Sequence, residues 1–163
     1  EDKKSIVVGL RMVQELLTES SFGGRGARRG PLIFISDSNI DKRAALFEVF
    51  PDSKFLFSQY HVLQAMWRSL WIDSANMHLS DRTTLFSLFK SMVYEEDAKT
   101  FDVKMRQLLT NEIARQYATF VKRVEDFIKS KELWATCYRT NMNARNQCSN
   151  DICEAEIRVS FFP

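Results

Sequence analysis

Two carboxylates, Asp37 and Glu154, occupy positions in the sequence that favour metal-ion chemistry. Asp37 closes a short apolar run, and Glu154 lies beside an apolar stripe of a predicted C-terminal helix. Divalent cations prefer hard oxygen ligands, and two ions that lie close together can share one carboxylate. If the chain brings these two acids together, they form part of a two-metal site for phosphoryl transfer, although such sites normally use three acids or more.

Asp37 is predicted at the carboxyl end of a buried strand. Residues 31–36 are apolar and include β-branched and aromatic side chains, which is typical of such a strand. A helix is expected next, because Ser38 or Asn39 can cap it and Pro51 can end it. Open α/β sheets bind their ligands at the carboxyl ends of strands. Taken alone, the local pattern favours the simpler alternative that Asp37 only helps to cap the helix.

A second strand and a second helix complete this part of the chain. Residues 53–58 predict the strand, and residues 60–71 predict a helix with Leu63, Met66 and Leu70 facing a core. Two strands separated by a helix at this spacing are expected to run parallel. The fold class is therefore predicted to be α/β and rich in helix.

The strand signals stop at residue 73. Residues 73–140 predict only helices, with helix starts at Ser80 and Thr110 and a helical register that continues through Trp134 and Tyr138. This segment is longer than a connection between sheet elements needs to be. We therefore predict three parts: a βα portion at residues 1–72, an all-helical insertion at residues 73–140, and a C-terminal segment at residues 141–163 that returns to the core.

Glu154 lies on the predicted helix of that last segment. Ser149 or Asn150 can cap this helix, which extends to about Phe161 and is apolar on two sides. A helix that is apolar on two sides is expected to be packed on both. Glu154 is then partly buried, and a buried carboxylate requires a partner, a cation or a proton.

The chain begins with a predicted helix at residues 5–17, followed by a loop rich in glycine and arginine. Residues 20–30 hold four of the five glycines together with Arg25, Arg28 and Arg29. Such a loop can act as a basic finger on a phosphate backbone. The alternative, a solvated flexible linker, is favoured here, because the loop lacks the Lys-Ser/Thr ending of a phosphate-cradling loop.

Composition describes an ordered globular chain of one domain, or of one domain with an elaborated insertion. The 163 residues are 45% hydrophobic and 27% charged with a net charge of +2, which excludes a disordered polar chain and does not by itself indicate nucleic acid. Three cysteines without regular spacing do not form a disulfide framework, so we expect a reducing compartment, cytosol or nucleus. We expect no signal peptide and no membrane-spanning segment.

One histidine and the three cysteines are further candidate metal ligands. By residue type alone, His61 is more often a core histidine than a ligand. A zinc site built from His61, Cys137, Cys148 and Cys153 matches no standard finger spacing, so it is the weaker expectation.

Four segments, taken together, resemble the catalytic core of Mutator-like (MULE-type) transposases. In that family a strand ends on the second catalytic Asp, a helix ending in Val-Phe-Pro follows, and a further strand leads into a Cys-x-x-His-Val motif. Later segments read Trp-x-x-Cys/Ala-Tyr/Phe-Arg and Thr-Asn-Asn-x-x-Glu-Ala. The matching segments here are residues 35–51 (beginning Ile-Ser-Asp-Ser-Asn), residues 55–62 (Phe-Leu-Phe-Ser-Gln-Tyr-His-Val), residues 134–139 (Trp-Ala-Thr-Cys-Tyr-Arg) and residues 149–155 (Ser-Asn-Asp-Ile-Cys-Glu-Ala). Their order and spacing match over nearly the whole chain.

This resemblance implies a ribonuclease H-like fold, of which the chain carries strands four and five, with a helical insertion before the last acidic helix. It implies a DDE transposase core that cuts and joins DNA with two Mg²⁺ (or Mn²⁺) ions in the nucleus. Asp37 would be the second acid and Glu154 the third, both as metal ligands, whereas Asp41 and Asp151 would be capping groups. Contacts to DNA or to the active site would come from His61 and from basic residues, namely Arg25, Arg28, Arg29, Lys122, Arg123, Arg139, Arg145 and Arg158. For each of these basic residues taken singly, an ordinary solvated surface position is the favoured alternative. A homodimer is a further expectation.

Two departures from the family pattern leave alternatives open. No residue of this chain matches the first catalytic Asp, and Ser58 stands where the family has the Cys of Cys-x-x-His. Both departures favour a domesticated protein that keeps the fold and binds DNA or protein without cutting. The retained Asp37 and Glu154 favour the enzyme. A third alternative, a helical interaction domain in which both acids are caps, does not account for four matching segments in order.

Overall fold

The computed structural model describes residues 2–72 and 76–139. The chain divides into two compact units, Glu1–Phe57 and Ser58–Pro163. Each unit is described by itself below.

The first unit is built around a β–α–β segment. It contains helix α1 (Lys3–Leu16), two short helical turns α2 (Ser21–Gly24) and α3 (Gly26–Arg29), strand β1 (Ile33–Ser36), helix α4 (Ile40–Val49) and strand β2 (Lys54–Phe57). The two strands run parallel, with Ile33 opposite Lys54 and Ser36 opposite Phe57. The predicted parallel unit is therefore confirmed, and with it the coarse α/β class.

Asn39, rather than Ser38, caps α4. Its side-chain oxygen accepts a hydrogen bond of 3.0 Å from the backbone N–H of Lys42. This contact satisfies one of the free N–H groups of the first helical turn. At the other end the helix stops at Val49, two residues before Pro51, which cannot continue a helix.

Helix α1 packs along α4 with one apolar line and leaves another in solvent. Ile6 and Leu10 are half-buried, while Val8, Met12 and Leu16 are exposed. The periodicity of the sequence indicates an amphipathic helix. The structure shows which of its two apolar lines packs against α4.

Aromatic rings fill the space between α4 and the sheet. Phe34 stacks on Phe55 with ring centroids 5.6 Å apart, and Phe50 lies 5.3 Å from Phe34. Phe50 is almost fully buried, as are Ala45 and Val49 of α4. These contacts fix the position of α4, and therefore of the turn that carries Asp37.

The prediction that β1 is buried is wrong. Ile35 is 41% exposed, and Leu32 just before the strand is 49% exposed. The physical reason is the size of the sheet: in the described part of the chain β1 pairs only with β2, so no other described strand lies along its second edge.

Residues 20–30 are more regular than the predicted flexible linker. They form the turns α2 and α3, and the backbone has positive φ at Gly23, Gly24, Gly26 and Gly30. Arg25 holds the segment closed, because its Nε donates to the carbonyl oxygen of Gly30 at 3.0 Å. Glycine therefore serves the turns here, where side chains would be strained.

The second unit is helical throughout its described residues. It contains α5 (Gln59–Ile72), α6 (Leu79–Val93), α7 (Ala98–Thr110), α8 (Glu112–Arg115) and α9 (Ala118–Ile128), followed by 3-10 turns at Lys131–Leu133 and Thr136–Tyr138. The predicted run of helices is confirmed for these residues.

Trp134 lies at the centre of this unit. Its ring is fully buried next to Phe89 and Phe101, with centroid distances of 6.0 Å to each. Its indole N–H donates to the carbonyl oxygen of Phe127 at 3.0 Å, so the buried polar atom is satisfied. The other fully or almost fully buried apolar residues around this core include Met66, Leu70, Leu85, Met92, Val93, Leu108, Phe120 and Val124.

Three predicted helix details in this unit are wrong. Thr110 ends α7, and Asn111 caps the next turn instead, because its side chain accepts from the N–H groups of Ile113 and Ala114. The long helix expected from there is interrupted at Tyr117, whose hydroxyl donates to Asp81 at 2.8 Å. Ser80 is inside α6, which begins at Leu79.

The region around Trp134 also differs from the predicted continuous helix. Trp134 and Ala135 lie between the two 3-10 turns, and both are fully buried. In an unbroken helix two consecutive side chains would point about 100° apart. The break between the two 3-10 turns lets both residues enter the core.

In the structure α5 belongs to the same compact unit as the helices that follow it. The functional division at residues 72 and 140 stays a prediction. Among the described residues, no helix combines the length and the apolar character needed to cross a membrane.

Candidate functional site

Asp37 directly follows the last residue of β1 and precedes the first turn of α4. Its Oδ1 accepts a hydrogen bond of 3.3 Å from the backbone N–H of Asn39, and its Oδ2 lies 3.1 Å from Nζ of Lys42. The side chain is 32% exposed. Asp37 therefore helps to order the start of α4, as the simpler alternative predicts, and its carboxylate is still accessible from solvent.

An open cleft lies beside this ion pair. Its volume is about 380 Å³, and it is lined by Ser5, Ile6 and Leu10 of α1 together with Ser36, Lys42 and Leu46. The walls are mainly apolar, and among the polar lining residues Lys42 contacts Asp37 through its ammonium and Ser36 precedes Asp37 in the sequence. Such a cleft can admit a ligand to the carboxyl end of β1.

Lys42 is a residue that the sequence analysis missed. It lies five residues after Asp37, in the first turn of α4, and its side chain is partly exposed, like that of Asp37. The signal that could have revealed it is the spacing: a lysine in the first turn of a helix can reach back to an acid that precedes the cap. Its ammonium gives the carboxylate a cationic partner in the structure.

Asp37 is the predicted magnesium ligand that lies within the described residues, and its side chain is partly exposed. Among residues 2–72 and 76–139, no group of three or more His, Cys, Asp or Glu side chains is placed to hold a metal ion. The transposase hypothesis requires further ligands: Glu154, which lies outside the described residues, and a first acid that no residue of this sequence matches. The approach of Asp37 to Glu154 stays a prediction.

His61 lies on the surface of the second unit. It is exposed in the first turns of α5, with its ring edge-on to Tyr60 at a centroid distance of 5.2 Å. The alternative that His61 is a core histidine is therefore wrong. An exposed imidazole can donate or accept a hydrogen bond, so a ligand-contact role is sterically available.

The three arginines of the Gly/Arg segment differ in their availability. Arg25 is half-buried and donates to the carbonyl oxygens of Gly30 and Asp52, at 3.0 and 3.4 Å. Arg28 and Arg29 are exposed in the last turn of α3. Of this set, Arg28 and Arg29 are the ones that can contact a phosphate without breaking an internal hydrogen bond.

The remaining predicted contact residues have different surroundings. Lys122 and Arg123 are exposed on α9, and the Arg123 guanidinium lies 5.4 Å from the ring centre of Phe127. Arg139 is only 4% exposed and donates to the carbonyl oxygen of Leu133, which favours a structural role. Arg145, Arg158 and Asp151 lie outside the described residues.

Gln59, next to the Ser58 that replaces the family's cysteine, is fully buried. Its amide nitrogen donates to the Trp134 carbonyl oxygen at 2.9 Å and to the Thr136 hydroxyl at 2.8 Å. The start of α5 is thereby joined to the segment around Trp134. Two of the segments that resemble the transposase pattern, residues 55–62 and 134–139, contact each other through this amide.

Cys137 is the described member of the candidate zinc set. Burial raises the pKa of its thiol, so less thiolate is present at neutral pH and the sulfur is a poorer nucleophile and metal ligand. Cys148 and Cys153 lie outside the described residues. The described surroundings of Cys137 favour a structural cysteine.

In comparisons with known proteins, no family model, no curated protein and no solved structure matches the chain. The resemblance to Mutator-like transposases stays a prediction from the four sequence segments. What the structure contributes is the placement of the described candidate side chains, each within its own unit.

Proposed function

We propose that the chain is part of a DNA transposase core of the Mutator-like DDE type. In this proposal the fold is ribonuclease H-like, β1 and β2 are strands four and five, and the helices after α5 form the insertion. The protein acts in the nucleus on transposon ends or target DNA.

The observation that carries the proposal is the position of Asp37. It follows the carboxyl end of β1 in a parallel β–α–β unit, and its partly exposed carboxylate lies beside an open cleft. Parallel sheets hold their ligands at this end of the strands. The same residue is the one that the sequence pattern assigns as the second acid.

In the proposed site, Asp37 and Glu154 hold Mg²⁺ or Mn²⁺ through their carboxylate oxygens. The metal, when bound, activates a water molecule or a 3′-hydroxyl and stabilises the leaving oxygen. The residues of this chain position the ions: Asn39 and Lys42 orient the Asp37 carboxylate through the contacts described above. Lys42 must release Oδ2 when a cation binds there.

The first acid of the triad has to come from another strand. Among the described residues β1 pairs only with β2, so its other edge is suited to pair with an added strand. A carboxylate at the end of such a strand would lie next to Asp37, because neighbouring strands are about 4.8 Å apart.

A strand-transfer assay tests this proposal. It uses the whole gene product in which this sequence occurs, a DNA with a free 3′-hydroxyl end, and Mg²⁺ or Mn²⁺. We expect Asp37→Asn and Glu154→Gln each to reduce transfer by at least about 100-fold, since a lost metal ligand removes several kcal/mol of charge stabilisation. Asp41→Asn, an exposed acid in the first turn of α4, is the matched control and should retain activity. Unchanged transfer by the Asp37→Asn variant would refute the assignment.

A second candidate function is DNA or protein binding without cleavage, in a domesticated descendant of such a transposase. The observation that favours it is the contact between Lys42 and Asp37, because an ammonium already provides this carboxylate with a cationic partner. The same assay separates the two functions. DNA binding by the whole gene product, without transfer in either metal, would support the binding protein and contradict the enzyme.

A further inference from the structure

Helix α1 carries an apolar line that faces solvent. Val8, Met12 and Leu16 are 58%, 62% and 83% exposed. They are four residues apart, so their side chains lie along one face of the helix. The opposite line, which includes Ile6 and Leu10, already packs against α4. The exposed line is therefore not needed to hold α1 in the first unit.

Charged residues beside this line are ordered along the helix. Along the chain Lys4, in the first turn, and Arg11, past the middle of the helix, precede Glu15 in the last turn and Glu19 beyond the helix end, and all four are exposed. The first turn contains no acidic residue and the last turn no basic residue. This order is the reverse of the one that the helix dipole favours. The stability of an isolated helix therefore does not explain it.

The reversed charge order fits a second α1 that runs in the opposite direction. In an antiparallel pair, the basic end of each helix meets the acidic end of the other, and it also meets the negative end of the other helix dipole. A parallel pair would instead place Lys4 and Arg11 beside their own copies. Only in the antiparallel arrangement do the exposed apolar lines of two copies meet while the basic residues of each copy face the acidic residues of the other.

We propose that α1 is a self-association surface whose partner is a second copy of this chain. The two helices pair antiparallel with Met12 near the twofold axis. Val8 then packs against Leu16 of the partner subunit, and Arg11 lies within reach of Glu15 of the partner subunit. The contact is isologous, as expected for a closed twofold dimer.

The proposed interface is small, so the dimer is weak. Three apolar side chains and a few charges per copy are far fewer than the roughly 20–30 residues per side of a standard interface. We expect a dissociation constant on the order of 100 µM, in the range of transient contacts. Association should weaken at high salt, because the charges are exposed.

Sedimentation equilibrium on the 163-residue chain, from about 10 µM to 1 mM, tests the surface. The wild type should shift from monomer to dimer across this range. Met12→Glu should abolish the shift, because it places two carboxylates at the axis. Val103→Glu is the matched control: Val103 is an apolar helical residue on α7 that is 42% exposed, and this variant should dimerise like the wild type.

Charge reversal tests the orientation of the pair. Arg11→Glu alone and Glu15→Arg alone should each weaken self-association about tenfold, because each variant presents like charges to its own copy. An equimolar mixture of the two variants should dimerise again. Circular dichroism melting checks that both variants are folded, which matters for Arg11 because it lies 4.0 Å from Glu48.

Three results would overturn the proposal. The first is a monomer up to about 1 mM, which would mean that the line is either left in solvent or covered by another segment. The second is a dimer that Met12→Glu leaves unchanged, which would place the contact elsewhere. The third is a mixture of the two charge variants that associates no better than either one alone.

Discussion

The side chain of Asp37 is oriented by residues close to it in sequence. Asn39 donates to one carboxylate oxygen from its backbone, and Lys42 contacts the other. Asn39 also caps α4 through its own side chain. The orientation of the Asp37 carboxylate therefore depends on the first turn of this helix. A substitution at the cap should change that orientation.

We predict that Asn39→Ala destabilises the first unit by about 1 kcal/mol, because an orphan N–H of α4 loses its acceptor. Amide hydrogen exchange at Lys42 and Arg43 measures the effect, and faster exchange is expected there. Asn39→Asp keeps a side-chain acceptor and should behave like the wild type. Equal exchange in the Asn39→Ala and Asn39→Asp variants would show that the cap does not stabilise the helix start.

At the level of secondary-structure elements, the short turns and the core helices require side chains of opposite size. The Gly/Arg segment needs positions without a side chain, whereas α6 needs large apolar side chains at buried positions. Both demands can be tested by pairs of substitutions that are chemically identical and differ only in their surroundings.

The first pair consists of Gly30→Ala and Gly9→Ala. Gly30 has φ of +67°, and a Cβ there would lie 2.9 Å from Cγ of Phe50. We expect a loss of about 1–3 kcal/mol from backbone strain alone, increased by the contact with the ring. Gly9 is inside α1 with nothing within 4 Å of its Cβ position, so alanine there should stabilise the helix by roughly 0.5–1 kcal/mol.

Amide hydrogen exchange across α4 measures the effect of Gly30→Ala, and exchange across α1 measures the effect of Gly9→Ala. A neutral effect of Gly30→Ala would contradict the described contact between this glycine and Phe50.

The second pair consists of Leu85→Ala and Leu79→Ala on helix α6. Leu85 is fully buried, and Leu79 is 63% exposed. We expect Leu85→Ala to cost about 2–5 kcal/mol, because it removes buried methyl groups and leaves a cavity. Leu79→Ala should change the free energy of unfolding by no more than about 0.5 kcal/mol.

Tryptophan fluorescence during urea unfolding is a specific readout for this pair. All three tryptophans, Trp67, Trp71 and Trp134, lie in the second unit. Similar midpoints for the two variants would mean that Leu85 is not part of the core.

Capping residues and apolar runs predict the secondary-structure elements whose ends they mark directly. The strands, α4 and α5 were predicted within one or two residues, because caps and apolar runs mark them. The long helix expected from Thr110 was wrong, because Asn111 and Tyr117 make contacts that periodicity does not contain. Periodicity indicates that α1 is amphipathic, but it does not indicate that Val8, Met12 and Leu16 face solvent, since that depends on what packs against the helix.

At the scale of the whole molecule, the proposed function needs contacts to DNA and convergence of the acids. The sequence identified a set of basic residues as candidate contacts, but it could not indicate which are free. Arg25 is held by Gly30 and Arg139 is buried, whereas Arg28 and Arg29 are exposed. These placements depend on tertiary contacts, which a residue list does not specify.

We predict that Arg28→Ala/Arg29→Ala lowers the affinity for duplex DNA and its salt dependence. The slope of log K against log salt should decrease by about 1–2, since each lost phosphate contact removes close to one released counterion. Arg115→Ala, an exposed arginine of α8 outside the predicted set, is the control and should leave the slope unchanged. An unaltered slope in the double variant would exclude this segment from the DNA contact.

Asp37 could be placed at the end of a strand from sequence alone, because the apolar run and the helix cap flank it directly. Its distance from Glu154 could not be predicted, since more than one hundred residues separate them. That distance depends on how the chain returns after the helical segment, and no local pattern encodes it.

Binding of Mn²⁺, followed by paramagnetic broadening of the backbone amide signals of Asp37 and Ser38, tests the convergence most directly. We predict that Mn²⁺ broadens these signals in the wild type. Asp37→Asn and Glu154→Gln should each weaken Mn²⁺ binding at least about tenfold, because the ion loses one of the two carboxylates that hold it. Broadening at Asp37 that is unchanged by Glu154→Gln would contradict the claim that the two acids hold a common ion.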